Sequence, residues 1–138
     1  MDGFEGKVAV ITGGASGLGL AMAQRFADAG VNIVIGDIEA EPLAMAEAAI
    51  AARGVKVLAR RTDVAKQEDV EALAKAAYER FGAVHILCNN AGIGGGGSFV
   101  ADERAEWDKT FEVCWNGVYY CTRAFLPMLL ASDEGHLI

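Results

Sequence analysis

Positive charge, histidine and long apolar runs are all scarce in this chain. Twelve Lys and Arg stand against nineteen Asp and Glu, a formal net charge of −7. That balance argues against nucleic acid as the main partner, which would want a basic stripe. No apolar run approaches the ~18 residues that a membrane span needs, so no membrane partner is expected. Two histidines and three cysteines without a CxxC pair make no recognisable metal set. The N-terminal "MDGFEGK" has no apolar signal segment, and with the odd cysteine count it reads as a reduced, cytoplasmic protein. What remains is a chain of 138 residues, enough for one domain with a real core. Hydrophobic residues make up 53%, which points to apolar surface meant to be covered by something else.

The punctuation along the chain is regular. "KVAVIT" (Lys7 to Thr12) is a β-branched run, read as a strand buried on both faces. A glycine cluster follows, then a helix from about Gly17 to Ala29 with Leu18, Ala21, Met22, Phe26 and Ala29 as its apolar face. Gly30 ends that helix. "VNIVIGD" is a second strand ending at Asp37. A helix near Pro42 turns Leu43, Ala46 and Ile50 inward and stops at Gly54. "VKVLAR" is the third strand. The next helix carries Val70, Leu73, Ala74, Ala77 and Phe81 on one stripe and stops at Gly82. "VHILCNNAG" is the fourth strand with its turn, and it contains His85. After the "GGGG" loop, a long helix begins at Asp102 as a plausible N-cap and runs to Pro127 or a little past. "GHLI" opens a fifth strand, which contains His136. Both histidines are read as structural.

Strands alternating with glycine-closed helices imply a doubly wound α/β fold with a parallel sheet. The expected strand order is 3-2-1-4 with an incomplete fifth strand. The whole of 1–138 reads as one Rossmann-like domain, truncated soon after that strand begins.

"TGGASGLG" (Thr12 to Gly19) joins the first strand to the first helix. Unsatisfied N–H groups and a helix dipole at a turn free of bulky side chains suit a pyrophosphate. The spacing is GxxxGxG rather than GxGxxG, and a glycine-rich turn can also be purely structural. Asp37 strengthens the reading. It ends the second strand, where an acid can accept hydrogen bonds from ribose hydroxyls and repel a 2′-phosphate. NAD is therefore expected over NADP, since neither Ser16 nor Ile38 is basic. The plainer alternative makes Asp37 a turn residue or a cap.

With "TGGASGLG", Asp37, "DV" (Asp63, Val64) and "NNAG" (Asn89 to Gly92) falling in order at successive strand ends, the chain resembles the short-chain dehydrogenase/reductase family in its NAD-preferring form. The resemblance implies that Gly13, Ser16, Gly17, Leu18 and Gly19 cradle the pyrophosphate. It implies Asp37 on the adenosine ribose with Ile38 beside the adenine, and Asp63 and Val64 on the adenine ring. Asn90, Ala91 and Gly92 would line the nicotinamide side. Asn89 alternatively braces neighbouring strands. Family members move a hydride between NAD(H) and a small alcohol or carbonyl substrate, using a Ser, a Tyr and a Lys that follow the fifth strand. None of the three falls within this chain. Tyr119 with Arg123 is no substitute, because arginine stays protonated and cannot relay protons. The implied function is the cofactor half of an NAD-dependent oxidoreductase. The alternative is a non-catalytic dinucleotide-binding or interaction module that is naturally this short.

Within "FEVCWNGVYY", the family pattern places an Asn three residues before Gly117, which here is Cys114. Trp107, Phe111, Cys114, Val118, Cys121 and Phe125 make one apolar stripe at straight-helix spacing, expected to face the sheet. Asn116 then falls on the polar flank. Cys114 is left as the candidate, either in a water relay through its backbone carbonyl or as a buried structural thiol. Trp115, Tyr119, Thr122 and Leu126 form a second, partly apolar stripe. The family commonly forms dimers and tetramers through this helix, so the resemblance implies a homo-oligomer built on 103–131.

Overall fold

The computed structural model describes residues 3–95, 97–101 and 103–138. The strands are β1 (Val8–Thr12), β2 (Asn32–Asp37), β3 (Val57–Arg61), β4 (Ile86–Cys88) and β5 (His136–Leu137). The helices are α1 (Gly17–Asp28), α2 (Ala40–Ala51), α3 (Gln67–Phe81), α4 (Arg104–Phe111) and α5 (Gly117–Ala131). All strand pairs are parallel, in the order β3-β2-β1-β4-β5. That is the doubly wound α/β arrangement expected from the alternation. The order reverses between β1 and β4, which opens a crevice at their C-terminal ends.

Alternate residues of the central strands feed two cores. Ala9, Ile11, Ile33 and Ile35 face α1 and α2. Val8, Val10, Val34 and Leu87 face α3 and α5. β1 is buried throughout, as a central parallel strand must be. Among the described residues no helix is long and apolar enough to cross a membrane.

Two helix faces differ from the sequence expectation. In α2 and α3 the inward residues are those the periodicity picks out, with Phe81 only partly buried. In α1 they are not. Its buried residues are Gly19, Ala23 and Ala27, while Leu18 is exposed and Ala21 and Ala29 lie outside. The small residues let α1 lie close to the sheet, and Met22 and Phe26 pack along its sides. Apolar periodicity weights large side chains, so it points to the flanks of a helix that packs on its smallest residues.

The second difference is in the long helix. It is interrupted by a π-helical turn, Glu112–Asn116. Downstream, Gly117, Cys121, Phe125 and Leu129 are buried at steps of four. Upstream, Val113 is the residue packed on the core, not Cys114. Phe111, Cys114 and Val118 are exposed, and Trp107 is half-buried, stacked on Phe99. Asn116 is half-buried rather than out on an open flank. The cause is geometric. Four residues of α-helix turn about 400°, so a step-four stripe drifts off a flat partner. A wider π turn takes up an additional residue and brings Val113 back over the sheet. The Asp102 N-cap falls outside the described residues.

His85 stands one residue before β4, not within it. Its Nδ1 accepts the Val8 N–H at 3.0 Å, beside the Lys7–Glu134 ion pair. Only an unprotonated ring nitrogen can accept. Burial, and then the Lys7 charge, hold the His85 pKa below its ordinary value, with Glu134 opposing. The unfolded chain therefore takes up this proton more readily than the folded one. The stabilisation is complete above about pH 6.5 and is lost as pH falls from there toward the folded-state value. The thermal midpoint is expected to drop on acidification through this window. His85→Gln, whose amide oxygen can take the same N–H, is expected to flatten that drop. Parallel pH profiles for the two proteins would refute this role.

Candidate functional site

The switch between β1 and β4 opens onto a groove of about 960 Å³. Its first wall is the turn from β1 into α1. Gly13 and Gly17 adopt φ of 65° and 52°, a left-handed backbone that costs other residues about 1–2 kcal/mol. The turn is tied back onto β2. The N–H groups of Gly13 and Gly14 donate to the Gly36 carbonyl at 2.8 and 3.3 Å, and Ala15 N–H donates to Asp37 Oδ2 at 3.0 Å. Among the described residues the next N–H groups, those of Ser16, Gly17 and Leu18, have no acceptor, and no side chain caps α1. A helix start that faces a groove with bare donors suits an anion.

The turn is held from the β4 side by Thr12, a residue that the sequence reading passed over. Thr12 is 1% exposed. Its Oγ1 accepts the N–H groups of Asn90 and Ala91, each at 3.1 Å, and donates to the Cys88 carbonyl at 3.4 Å. Asn90 returns the contact, its Nδ2 donating to the carbonyls of Thr12 and Gly13 at 3.0 and 3.2 Å. The two strand-end turns thus form one hydrogen-bonded unit. Gly19 lies beneath it and does not line the groove. A Cβ on Gly19 would sit 2.1 Å from the Gly13 carbonyl oxygen.

The second wall is the end of β2. Asp37 Oδ1 accepts the Glu39 N–H at 3.2 Å while Oδ2 holds Ala15, so the carboxylate joins the glycine turn to the 38–39 loop. Ile38 is half-exposed at the rim. The third wall is the segment after β3. Asp63 Oδ1 accepts the Ala65 N–H at 3.0 Å, and its own N–H donates to Asp69 Oδ2. Val64 is nearly buried, pressed against Gly117, and shows only an edge to the groove.

Asn90, Ala91 and Gly92 close the fourth side. The structure therefore gathers Gly13, Ser16, Gly17, Leu18, Asp37, Ile38, Asp63, Val64, Asn90, Ala91 and Gly92 around one groove. It adds Thr62, Lys109, Glu112 and Val113, which no strand-end motif marks. Val113 could have been found only by anticipating the π turn.

Cys114 lies at the margin rather than in the groove. Its thiol is exposed and donates to the Ile93 carbonyl at 3.4 Å. The expectation of a buried thiol there is corrected by the π turn. Cys88 and Cys121 are the buried ones, and burial pushes their thiols up to about 11 and about 12, too high for nucleophiles. Asn89 does not brace two strands through its side chain. Its Nδ2 reaches Thr122 on α5 at 3.3 Å, and its buried Oδ1 has no partner among the described residues. None of Tyr78, Tyr119 and Tyr120 lines the groove. Tyr119 instead accepts from Arg123 at 3.2 Å on the exposed side of α5. Among the described residues no group of three or more His, Cys, Asp or Glu is placed to hold a metal.

A parallel sheet with a groove at its switch point, a glycine turn with bare N–H groups and an acid closing the next strand define a doubly wound nucleotide-binding protein. The family model described as short chain dehydrogenase matches residues 7–138, and the chain belongs to that family of oxidoreductases. It is 42% identical to a short-chain dehydrogenase/reductase from Burkholderia phymatum solved in complex with NAD, with a TM-score of 0.94 over 99% of this chain and 49% of the other. It is 32% identical to a metagenomic short-chain oxidoreductase solved with NADP, with a TM-score of 0.90 over 96% of this chain and 61% of that one. Among curated relatives, 2,5-dichloro-2,5-cyclohexadiene-1,4-diol dehydrogenase LinX of Sphingobium indicum is 40% identical over 96% of this chain and 53% of its own. The chain spans about half the length of the curated relatives it matches.

Proposed function

We propose that this chain is the cofactor-binding half of an NAD-dependent oxidoreductase that moves a hydride between NAD(H) and a small alcohol or carbonyl compound. The observation that carries the reading is the uncapped start of α1, whose bare N–H groups belong to residues that line the groove, a setting that suits an anion. In this reading Ser16, Gly17 and Leu18 hold the pyrophosphate through their backbone, with Gly13 giving it room to approach. Asp37 takes the adenosine ribose hydroxyls on the lone pairs that Ala15 and Glu39 leave open. Ile38, Asp63 and Val64 border the adenine, and Asn90, Ala91 and Gly92 the nicotinamide end. When bound, the cofactor supplies the hydride donor or acceptor, while this chain's residues bind and orient it. The charge of Asp37 favours NAD over NADP, whose additional phosphate it would repel.

Calorimetric titration of the 138-residue chain with NAD is expected to show saturable one-site binding, tighter than that of NADP. An absence of heat at millimolar NAD would refute a working site in this chain. In the same reading Trp115 of the π turn and Tyr119, Leu126 and Leu130 of α5, all exposed, are covered by a second copy of the chain, making a dimer or tetramer. Sedimentation equilibrium on the titrated sample counts the copies, and a monomer throughout would remove that part.

A further inference from the structure

Arg61 is a cation set beside the 38–39 rim of the groove without lining the groove itself, and no sequence motif draws attention to it. It sits opposite Asp37 in the parallel β2–β3 ladder. Its Nε donates to the Ile38 carbonyl at 3.1 Å, which anchors the guanidinium against the 38–39 loop. That loop forms one rim of the groove, and Thr62 and Asp63, the residues following Arg61, line it as well. The side chain is exposed, and among the described residues no carboxylate forms an ion pair with it. Guanidinium carries five N–H donors in a planar fork that matches the oxygens of a phosphate, and among the described residues only Nε is engaged.

Asp37 is fixed in the same place with the opposite sign. Two backbone N–H groups, of Ala15 and Glu39, pin its carboxylate between the glycine turn and the loop. A doubly charged group brought to the ribose would meet this carboxylate first, with Glu39 adding a second negative charge at the rim. The solved relatives include both an NAD and an NADP complex, so family membership does not decide the choice.

We propose that Arg61 is a cofactor-discriminating residue, a cation able to hold an adenosine 2′-phosphate that the carboxylate of Asp37 masks in this chain. The proposal rests on the dinucleotide-binding reading above and sharpens it. Selectivity for the unphosphorylated cofactor is then one substitution deep. Removing the charge of Asp37 does more than end a repulsion, because it leaves a phosphate-matching fork already anchored beside the site.

The test is the ratio of NADP to NAD dissociation constants, measured by calorimetry on the 138-residue chain. Asp37→Ser is expected to shift this ratio toward NADP by roughly tenfold or more, the scale of one charge-assisted phosphate contact. Adding Arg61→Gln in that background is expected to take back most of the shift. Asp37→Asn is the parallel variant, since its amide oxygen keeps an acceptor for the Ala15 N–H should the serine protein fail to fold. A ratio that Arg61→Gln leaves where Asp37→Ser or Asp37→Asn put it would overturn the proposal, as would one that neither Asp37 variant moves. If the unaltered chain binds neither nucleotide, the dinucleotide reading itself falls and takes the proposal with it. Binding by the unaltered chain without coupling between the two positions removes Arg61 alone.

Discussion

Replacing Thr12 by valine is expected to cost about 1–3 kcal/mol of folding stability, because it strands the Ala91 N–H, while the Asn90 N–H keeps the Cys88 carbonyl at 3.0 Å. Valine keeps the shape and the burial, so the packing of β1 against its neighbours is retained. What disappears is the oxygen that takes the Asn90 and Ala91 N–H groups and donates to Cys88. Thr12→Ser keeps that oxygen and drops one methyl, for a loss nearer 1 kcal/mol. Urea denaturation of the three proteins separates the two terms. A valine variant within 0.5 kcal/mol of the parent, by an order-of-magnitude reading of the mutational scale, would mean that Thr12 is not the joint between the two turns. Because Asn90 and Ala91 border the groove, the valine variant is also expected to weaken NAD binding.

Gly19→Ala is expected to cost about 3 kcal/mol, the upper part of the range for forcing a methyl into filled space. Alanine gains about 1 kcal/mol of helix propensity over glycine, which does not offset the clash. The new Cβ would lie 2.1 Å from the Gly13 carbonyl oxygen and 2.6 Å from Asn90 Nδ2. The first contact is backbone and cannot rotate away, so α1 or the turn must move. Gly17→Ala is the informative control. No atom lies within 4 Å of a Cβ there, and the penalty is only its left-handed φ of 52°. That variant is expected to lose about 1–2 kcal/mol and to keep the groove's shape. Thermal or urea midpoints for both variants, with NAD titration beside them, distinguish a steric role from a conformational one. Equal losses at the two glycines would refute the close-packing account of Gly19.

Much of the site was legible because its residues belong to local patterns. A glycine turn after a β-branched run, an acid at the end of the next one and small polar turns after the third and fourth each announce themselves within a few residues. Parallel strand order then places all four at one edge of the sheet, as βαβ handedness requires. The residues that escaped notice act across the fold. Thr12 reads as the last residue of a strand until β4 arrives beside it. Arg61 reads as a solvent-facing strand end until its Nε meets the Ile38 carbonyl of the 38–39 loop. Val113 is hidden behind Cys114, because the stripe was counted with straight-helix spacing and the chain contains a π turn.

The sequence by itself determined the element order, the doubly wound topology and the glycine turn with its acid, because backbone preference and burial period act over short stretches. Only the tertiary structure decided which side chains meet. Gly19, Ala23 and Ala27 face the sheet because contact distance favours the smallest side chains. Cys114 lies in solvent and Asn116 is half-buried because one additional residue in the helix turned the upstream segment. Both outcomes depend on the distance between packed elements, a quantity that no single stretch of sequence carries.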